Sequence, residues 1–238
     1  MNYIGDIEAI KSFQDRHPEI AVSYGGDGEI LKTWREAKAS GKAIYPVRDY
    51  GRCEKHARLF SCVDFDRVVS YRQIICDCPQ SESPLFKYKA ISEIQVKSED
   101  VTSALRMDIY VNSRRFLQNV IADGIICSTA FGATGYFSSI ARTLFIDGMG
   151  FAFIAPTLGV NNLVLPAESK IEIRLVRSAA VTVAADKTVY SLDMPAERPM
   201  RFYLDPAESV KFVGLDEFHC PECRANRHGT ALVNQYLK

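Results

Sequence analysis

At 238 residues, 47% of them hydrophobic and 24% charged, the chain is long enough for one large or two modest globular domains, each with its own core. The 29 basic and 29 acidic residues cancel, which removes the electrostatic footprint of a nucleic-acid or anionic-membrane partner. Met1 to Lys11 carries Asp6 and Glu8 without the apolar centre of a secretory leader, and nowhere do about 18 apolar residues run together, so a cytoplasmic protein with no membrane partner is expected.

In chain order, Met1 to Pro18 reads as a helix, with Ile4, Ile7, Ile10 and Phe13 at a regular stride and Pro18 ending it. Ile20 to Tyr24 has strand character and leads into Gly25-Gly26-Asp27-Gly28. A helix over Glu29 to Ser40 follows, with Ile30, Leu31, Trp34 and Ala37 as its apolar stripe and Gly41 where a left-handed glycine ends a helix. The glycines let the backbone approach a bulky anion while the first helical amides aim donors at it. A purely structural reading makes Asp27 the helix N-cap, and the two readings are compatible. Ala43 to Val47 is a second short strand. Strand, turn, helix and strand together predict an open α/β sheet, with ligands beyond the strand C-termini.

Glu54 to Tyr71 reads as mixed and partly helical, and Gln73 to Cys76 as a strand. Cys78 to Pro84 gathers prolines and small polar residues, the composition of a connection between domains. Beyond it the pattern turns to β. Leu105, Met107, Ile109 and Val111 alternate with Arg106, Asp108, Tyr110 and Asn112, and Asn112-Ser113-Arg114-Arg115 turns this strand into a second one through Phe116, Gln118 and Val120. Ile171, Ile173 and Leu175 repeat the alternation, with further β-like runs at Val181–Val183, Thr188–Tyr190 and Arg201–Leu204. One segment departs from this. Asp123 to Thr129 runs into Gly132, Thr134, Gly135 and Tyr136, and Phe137, Ile140, Ala141 and Leu144 then follow at helical spacing. A glycine- and hydroxyl-rich approach to a helix is a second place suited to an anionic or polar ligand, so a cleft between two domains is expected.

Cys53, Cys62, Cys76, Cys78, Cys127, Cys220 and Cys223 are an odd number, which fits reduced thiols better than a disulfide framework. Cys76 and Cys78 would join Cys220 and Cys223 around a structural zinc if the C-terminal tail folds back; the alternative is free thiols.

Together the motifs resemble those of the ATP-dependent NAD kinases, over roughly residues 20–215. The family's Gly-Gly-Asp-Gly-Thr is matched by Gly25-Gly26-Asp27-Gly28, with Glu29 for Thr. Its Asn-Glu is matched by Ser92-Glu93. Its Ala-Asp-Gly and Ser-Thr-Pro-Thr-Gly-Ser-Thr-Ala-Tyr elements are matched, without a gap, by Ala122-Asp123-Gly124 and Ser128-Thr129-Ala130-Phe131-Gly132-Ala133-Thr134-Gly135-Tyr136. Ala155-Pro156 and Leu163 to Ser169 resemble its closing strand signature, without the usual Pro-His and Arg-Pro. Diacylglycerol and sphingosine kinases share the first motif; the third favours NAD kinase.

The resemblance implies an α/β Rossmann-like domain over residues 1–84, a β-rich dinucleotide-binding domain over 85–213, and a tail over 214–238 packing back on the first domain. It implies transfer of the γ-phosphate of ATP, with Mg²⁺ on the donor phosphates, to the 2′-hydroxyl of the adenosine ribose of NAD. Asp27 would accept the proton, and Gly25, Gly26 and Gly28 would leave room for phosphates. Glu93 would hold dinucleotide hydroxyls with help from Ser92, Thr129, Thr134 and Tyr136 would line the adenine and ribose pocket, and Asp123 would face the nicotinamide side. Asp186 resembles the family's later aspartate only loosely and reads as a hairpin-turn residue. A homodimer or homotetramer is expected by the same analogy. Glu29, Ser92, Gly135 and the missing Pro-His motivate a second reading, a nucleotide-binding or regulatory module whose phosphotransfer is lost or altered.

Overall fold

Of the expected N-terminal helix, α1 (Ile7–Arg16) turns Phe13 into a small core with Ile20, Tyr45 and Val213, while residues 1–6, with Ile4, lie outside the described residues. This is a computed structural model, and it describes residues 7–24, 27–37, 40–47, 68–78, 86–157, 159–196 and 198–213. The chain divides into two units, Met1–Ser70 with Val210–Lys238, and Tyr71–Ser209. Among the described residues no helix is long and apolar enough to cross a membrane.

In the first unit β1 (Ile20–Tyr24) and β2 (Ala43–Val47) pair in parallel, Ile20 with Ala43 through Tyr24 with Val47. Parallel neighbours need a crossover, and α2 (Asp27–Ala37) supplies it. The predicted stripe is its buried face: Ile30, Leu31, Trp34 and Ala37 are all buried. The helix starts earlier than the apolar pattern alone indicated, at Asp27. Past its end the Ser40 hydroxyl donates to the Ala37 carbonyl at 2.8 Å, and Gly41 takes the left-handed conformation, φ 65°. The end of β14 (Pro199–Val213) continues this sheet in parallel, with Phe212 opposite Ile44.

β3 (Val68–Cys78), which belongs to the second unit from Tyr71 onward, and β4 (Phe86–Ala90) are antiparallel, Ile74 opposite Ala90 through Cys78 opposite Phe86. Residues 68–71, the end of the stretch expected to be mixed and partly helical, are extended, and its remainder, 54–67, lies outside the described residues. The β-branched and aromatic side chains of residues 68–71 suit a pleated surface better than a helix. The proline-rich segment 79–85 joins β3 to β4. β6 (Leu105–Val111) and β7 (Arg114–Ala122) form the predicted hairpin, with Asn112 and Ser113 at φ 49° and 65°. That backbone is the one a tight hairpin turn demands. β11 (Lys170–Leu175) lies between β6 and the first part of β14, antiparallel to both.

The second sheet is antiparallel throughout, in the order β10 (Asn162–Leu165), β9 (Met149–Ile154), β8 (Gly124–Thr129), β5 (Glu93–Ser98), β12 (Ala179–Ala185), β13 (Thr188–Met194). Within this unit the alternating apolar faces form one core that includes Ile94, Val96, Met107, Ile109, Phe151, Phe153, Ile171, Ile173 and Phe202. β8 is buried along its whole length. One of its faces belongs to that core, and the other is covered by α3 (Tyr136–Ala141), with Ile126 and Ala152 against Phe137 and Ala141. A strand buried on both faces reads as a continuous apolar run, which is how Ile125-Ile126-Cys127 reads. α3 is shorter than its apolar spacing predicted. The side-chain Nδ2 groups of Asn161 and Asn162 donate to the carbonyls of Ile140 and Ala141 at 3.0 and 2.8 Å, Arg142 turns left-handed at φ 55°, and Leu144 is left exposed.

Candidate functional site

Of the first glycine turn, Gly25 and Gly26 lie outside the described residues. Asp27 is the first residue of α2, where the backbone N–H groups have no partner within the helix and the dipole favours negative charge. Gly28 is half-buried and Glu29 is exposed. Just upstream in β1, Ser23 is buried, and its hydroxyl has no hydrogen-bond partner among the described residues.

The second candidate region is built around the short link Ile91-Ser92 between β4 and β5, together with Glu93, the first residue of β5. Every backbone polar group of residues 91–93 is bonded. The Ile91 carbonyl accepts from the Thr129 hydroxyl at 2.6 Å, and the Ser92 carbonyl accepts from the Thr129 amide at 2.9 Å and the Ser128 hydroxyl at 3.2 Å. The amides of Ile91, Ser92 and Glu93 donate to the carboxylate of Asp186 at 3.0, 2.9 and 3.3 Å, and the Asp186 amide donates back to the Glu93 carbonyl at 3.0 Å. Such complete pairing is what burial demands of a loop inside a fold. The Ser92 hydroxyl donates to the Glu93 carboxylate, which stays half-buried.

The glycine-rich segment meets this turn directly. A methyl group on Gly132 would overlap the Ser92 carbonyl oxygen and come within 2.7 Å of the Ser128 hydroxyl, so only glycine admits the approach. Gly135 lies beside the Glu93 carboxylate, 3.8 Å from where its Cβ would stand. Thr134 is half-buried in the 3₁₀ turn Gly132–Thr134. Tyr136 opens α3, and its hydroxyl is 3.4 Å from the ammonium of Lys97, which also stands 4.9 Å above the ring.

Ser92, Glu93, Thr129, Gly132 and Gly135 are thus brought together, with Thr129 buried and its hydroxyl engaged within the chain. Asp123 is not part of that group. In the β5–β8 register Glu93 pairs with Ser128 while Lys97 pairs with Gly124, so Asp123 lies at the other end of the strand pair, exposed, about 16 Å along at the usual strand rise. Lys97 was not singled out by the sequence motifs. The signal available was the row Glu93, Gln95, Lys97 at period two on one face of β5, opposite the buried Ile94 and Val96.

Comparison with known proteins bears on this arrangement. No protein-family model matches the chain. The NAD kinase of Flavobacterium johnsoniae is 27% identical over 194 residues, 75% of this chain and 63% of that protein. The NAD kinase of Limosilactobacillus reuteri is 21% identical over 211 residues, 79% of this chain and 76% of that one. Among solved structures, an NAD kinase from Archaeoglobus fulgidus in complex with ATP matches with a TM-score of 0.67 at 20% identity, over 93% of this chain and 95% of that chain. Yeast NADH kinase complexed with NADH matches with a TM-score of 0.66 at 18% identity, over 84% of this chain and 65% of that one. The chain is thus similar to NAD kinases over most of its length, at 21–27% identity. It has that family's fold, a mixed α/β N-terminal sheet with an all-antiparallel C-terminal sheet. The match spans less than two thirds of some curated NAD kinases, 63% of the Flavobacterium johnsoniae protein and 59% of the Flavobacterium psychrophilum one.

Against the family pattern, the residues that differ fall in different settings. Glu29, in the family's Thr position, is exposed on α2. Ser92, in its Asn position, is buried with its hydroxyl committed to Glu93. The expected zinc set lies partly outside the described residues, since Cys220 and Cys223 do. Cys76 and Cys78 are buried side by side on β3, with the Cys78 sulfur 3.4 Å from that of Met194. Burial pushes the Cys76 thiol well above its ordinary value, whereas the hydrogen bond from Cys76 lowers that of Cys78. Among the described residues no group of three or more His, Cys, Asp and Glu is placed to hold a metal ion.

Proposed function

We propose that the protein is an NAD kinase that transfers the γ-phosphoryl group of ATP to the 2′-hydroxyl of the adenosine ribose of NAD, giving ADP and NADP. The observation that carries this reading is the Ser92-Glu93 turn: its backbone is fully bonded, and it holds the Glu93 carboxylate beside Gly135 in the segment that leads to Tyr136. A half-buried carboxylate on a fixed backbone, with Gly135 beside it, suits the hydroxyls of a ribose. Glu93 takes the hydroxyls of the acceptor and Tyr136 its ribose and adenine. Thr134 lines the same pocket and Asp123 serves the nicotinamide end. Thr129, with its hydroxyl bonded to the Ile91 carbonyl, and Ser92 act through the position of Glu93.

In the reaction the 2′-oxygen forms a bond to the γ-phosphorus as the bond to the β,γ-bridging oxygen breaks, and ADP leaves. The proton of the 2′-hydroxyl passes to the Asp27 carboxylate. Gly25, Gly26 and Gly28 leave room for the donor phosphates, and the donor is the Mg²⁺ complex of ATP, whose ion offsets phosphate charge. Phosphoryl transfer proceeds through a loose transition state, so the protein's work is placement and charge stabilisation. A homodimer or homotetramer goes with this reading, by analogy with the family.

The test is incubation of the purified protein with ATP, Mg²⁺ and NAD, with NADP as readout. NADP is expected from the wild type, and Asp27→Asn should slow its formation by about 100-fold or more, the range of a lost general base. One observation favours a second reading. The Ser92 hydroxyl is spent on Glu93, which leaves less for an adenine edge than asparagine would offer. Tight NAD or NADP binding without turnover in either protein would establish a nucleotide-binding module instead.

A further inference from the structure

We propose that Asp186 is a positioning residue, which fixes the direction of the Glu93 carboxylate without itself needing to touch substrate; the functional part of this inference rests on the NAD kinase reading above. Asp186 lies in the turn between β12 and β13 with φ 50°. A turn of that backbone is served equally well by glycine or asparagine, so the turn alone does not call for a carboxylate. What the carboxylate does is accept three consecutive amides, from Ile91 at 3.0 Å, Ser92 at 2.9 Å and Glu93 at 3.3 Å. Successive amides converging on one point form a concave nest that ordinarily receives an external anion. Here an internal carboxylate about 95 residues away in sequence fills it.

The other side of the same turn is held by a separate element. Thr129 and Ser128, at the end of β8, take the carbonyls of Ile91 and Ser92. The turn is therefore clamped from two directions, and only the Asp186 side is charged. The Ser92 hydroxyl donates to the Glu93 carboxylate, so the orientation of Glu93 depends on the Ser92 backbone, and that backbone depends on Asp186. Hydrogen bonds to an ionised acceptor are roughly twice as strong as neutral ones, which suits a carboxylate to holding three donors at once.

The experiment uses the full chain and two variants that preserve the turn. Asp186→Gly keeps the left-handed backbone and removes the carboxylate, and Asp186→Asn keeps the shape and one acceptor oxygen. In Asp186→Gly the amides of Ile91, Ser92 and Glu93 should exchange with deuterium at least tenfold faster, while those of β9 remain protected. KM for NAD should rise tenfold or more with KM for ATP within twofold of wild type, and Asp186→Asn should restore part of both effects. Faster exchange with an unchanged KM for NAD would overturn the positioning role and leave Asp186 as a turn residue. Parallel losses for NAD and ATP with a lowered melting temperature would also overturn it, in favour of general destabilisation. If the Gly variant does not fold, the Asn variant carries the same comparison. If the wild type neither binds NAD nor makes NADP, it is the functional reading that fails; hydrogen exchange then decides the clamp itself, which unchanged exchange at residues 91–93 would overturn.

Discussion

Gly132 shows how much one hydrogen atom in place of a methyl group decides. The Ser92 carbonyl oxygen and the Ser128 hydroxyl occupy the space that a Cβ would need. Gly132→Ala must therefore push the Ser92 turn away from the end of β8, breaking hydrogen bonds that have no replacement in a buried setting. We expect a loss of about 1–3 kcal/mol in urea unfolding, the usual cost of overpacking, together with a raised KM for NAD. Gly159→Ala is the control, since nothing lies within 4 Å of its Cβ position, and it should leave both unchanged. Neighbouring positions were read to different depths from sequence. Glu93 and Gly132 are parts of motifs with a known spacing. Asp186 could be placed in a hairpin turn, but its partners are in a loop far away in the chain, and no local pattern encodes them. The same holds for Lys97 and Tyr136, which meet across 39 residues.

Among the elements, β14 carries the clearest dependence on pH. The Asp205 carboxylate accepts from the amides of Ala207 and Glu208 at 3.0 and 3.3 Å and from the Lys89 ammonium at 3.3 Å. Burial pushes this carboxyl upward, but those donors outweigh it and hold it below its ordinary value of 3.8. A depressed carboxyl stabilises the fold fully above its unfolded pKa and loses that contribution as pH falls through the folded value. Asp205→Asn should thus be less stable than wild type in urea at pH 7, and the gap should close only as the pH drops below about 3.8. A gap that stays constant down to pH 2 would mean that the charge contributes nothing. Helix α2 was legible because its buried stripe repeats at helical period. The register of β7 was not. Asn119 is left-handed at φ 51°, its amide bonds the Asp108 carboxylate at 2.8 Å, and the pairing with β6 shifts between Met107 and Ile109. An inserted bulge exchanges the two faces, so Phe116 is exposed and Val120 buried although they share parity.

At the scale of the molecule, most of the buried apolar residues belong to the core of the second unit, with Phe151 and Phe153 in edge-to-face contact at 4.9 Å. Phe151→Ala should cost about 3–5 kcal/mol, the range for truncating a buried aromatic, measured as the shift of the far-UV circular dichroism transition in urea. A loss below about 1 kcal/mol would mean that the core collapses around the vacancy. The sequence by itself determined the class of fold, the strand and helix character of most described elements, the two glycine-rich segments and, through their motifs, the resemblance to NAD kinases. These follow from period and from local turn chemistry, which are properties of neighbouring residues. Tertiary structure alone decided that Glu93 is held between the end of β8 and the β12–β13 turn, that Thr129 is a buried support, and that Lys97 stands over Tyr136. Such contacts form only when the antiparallel register of β5 with β8 and β12 brings remote residues level, and register is a property of the whole sheet.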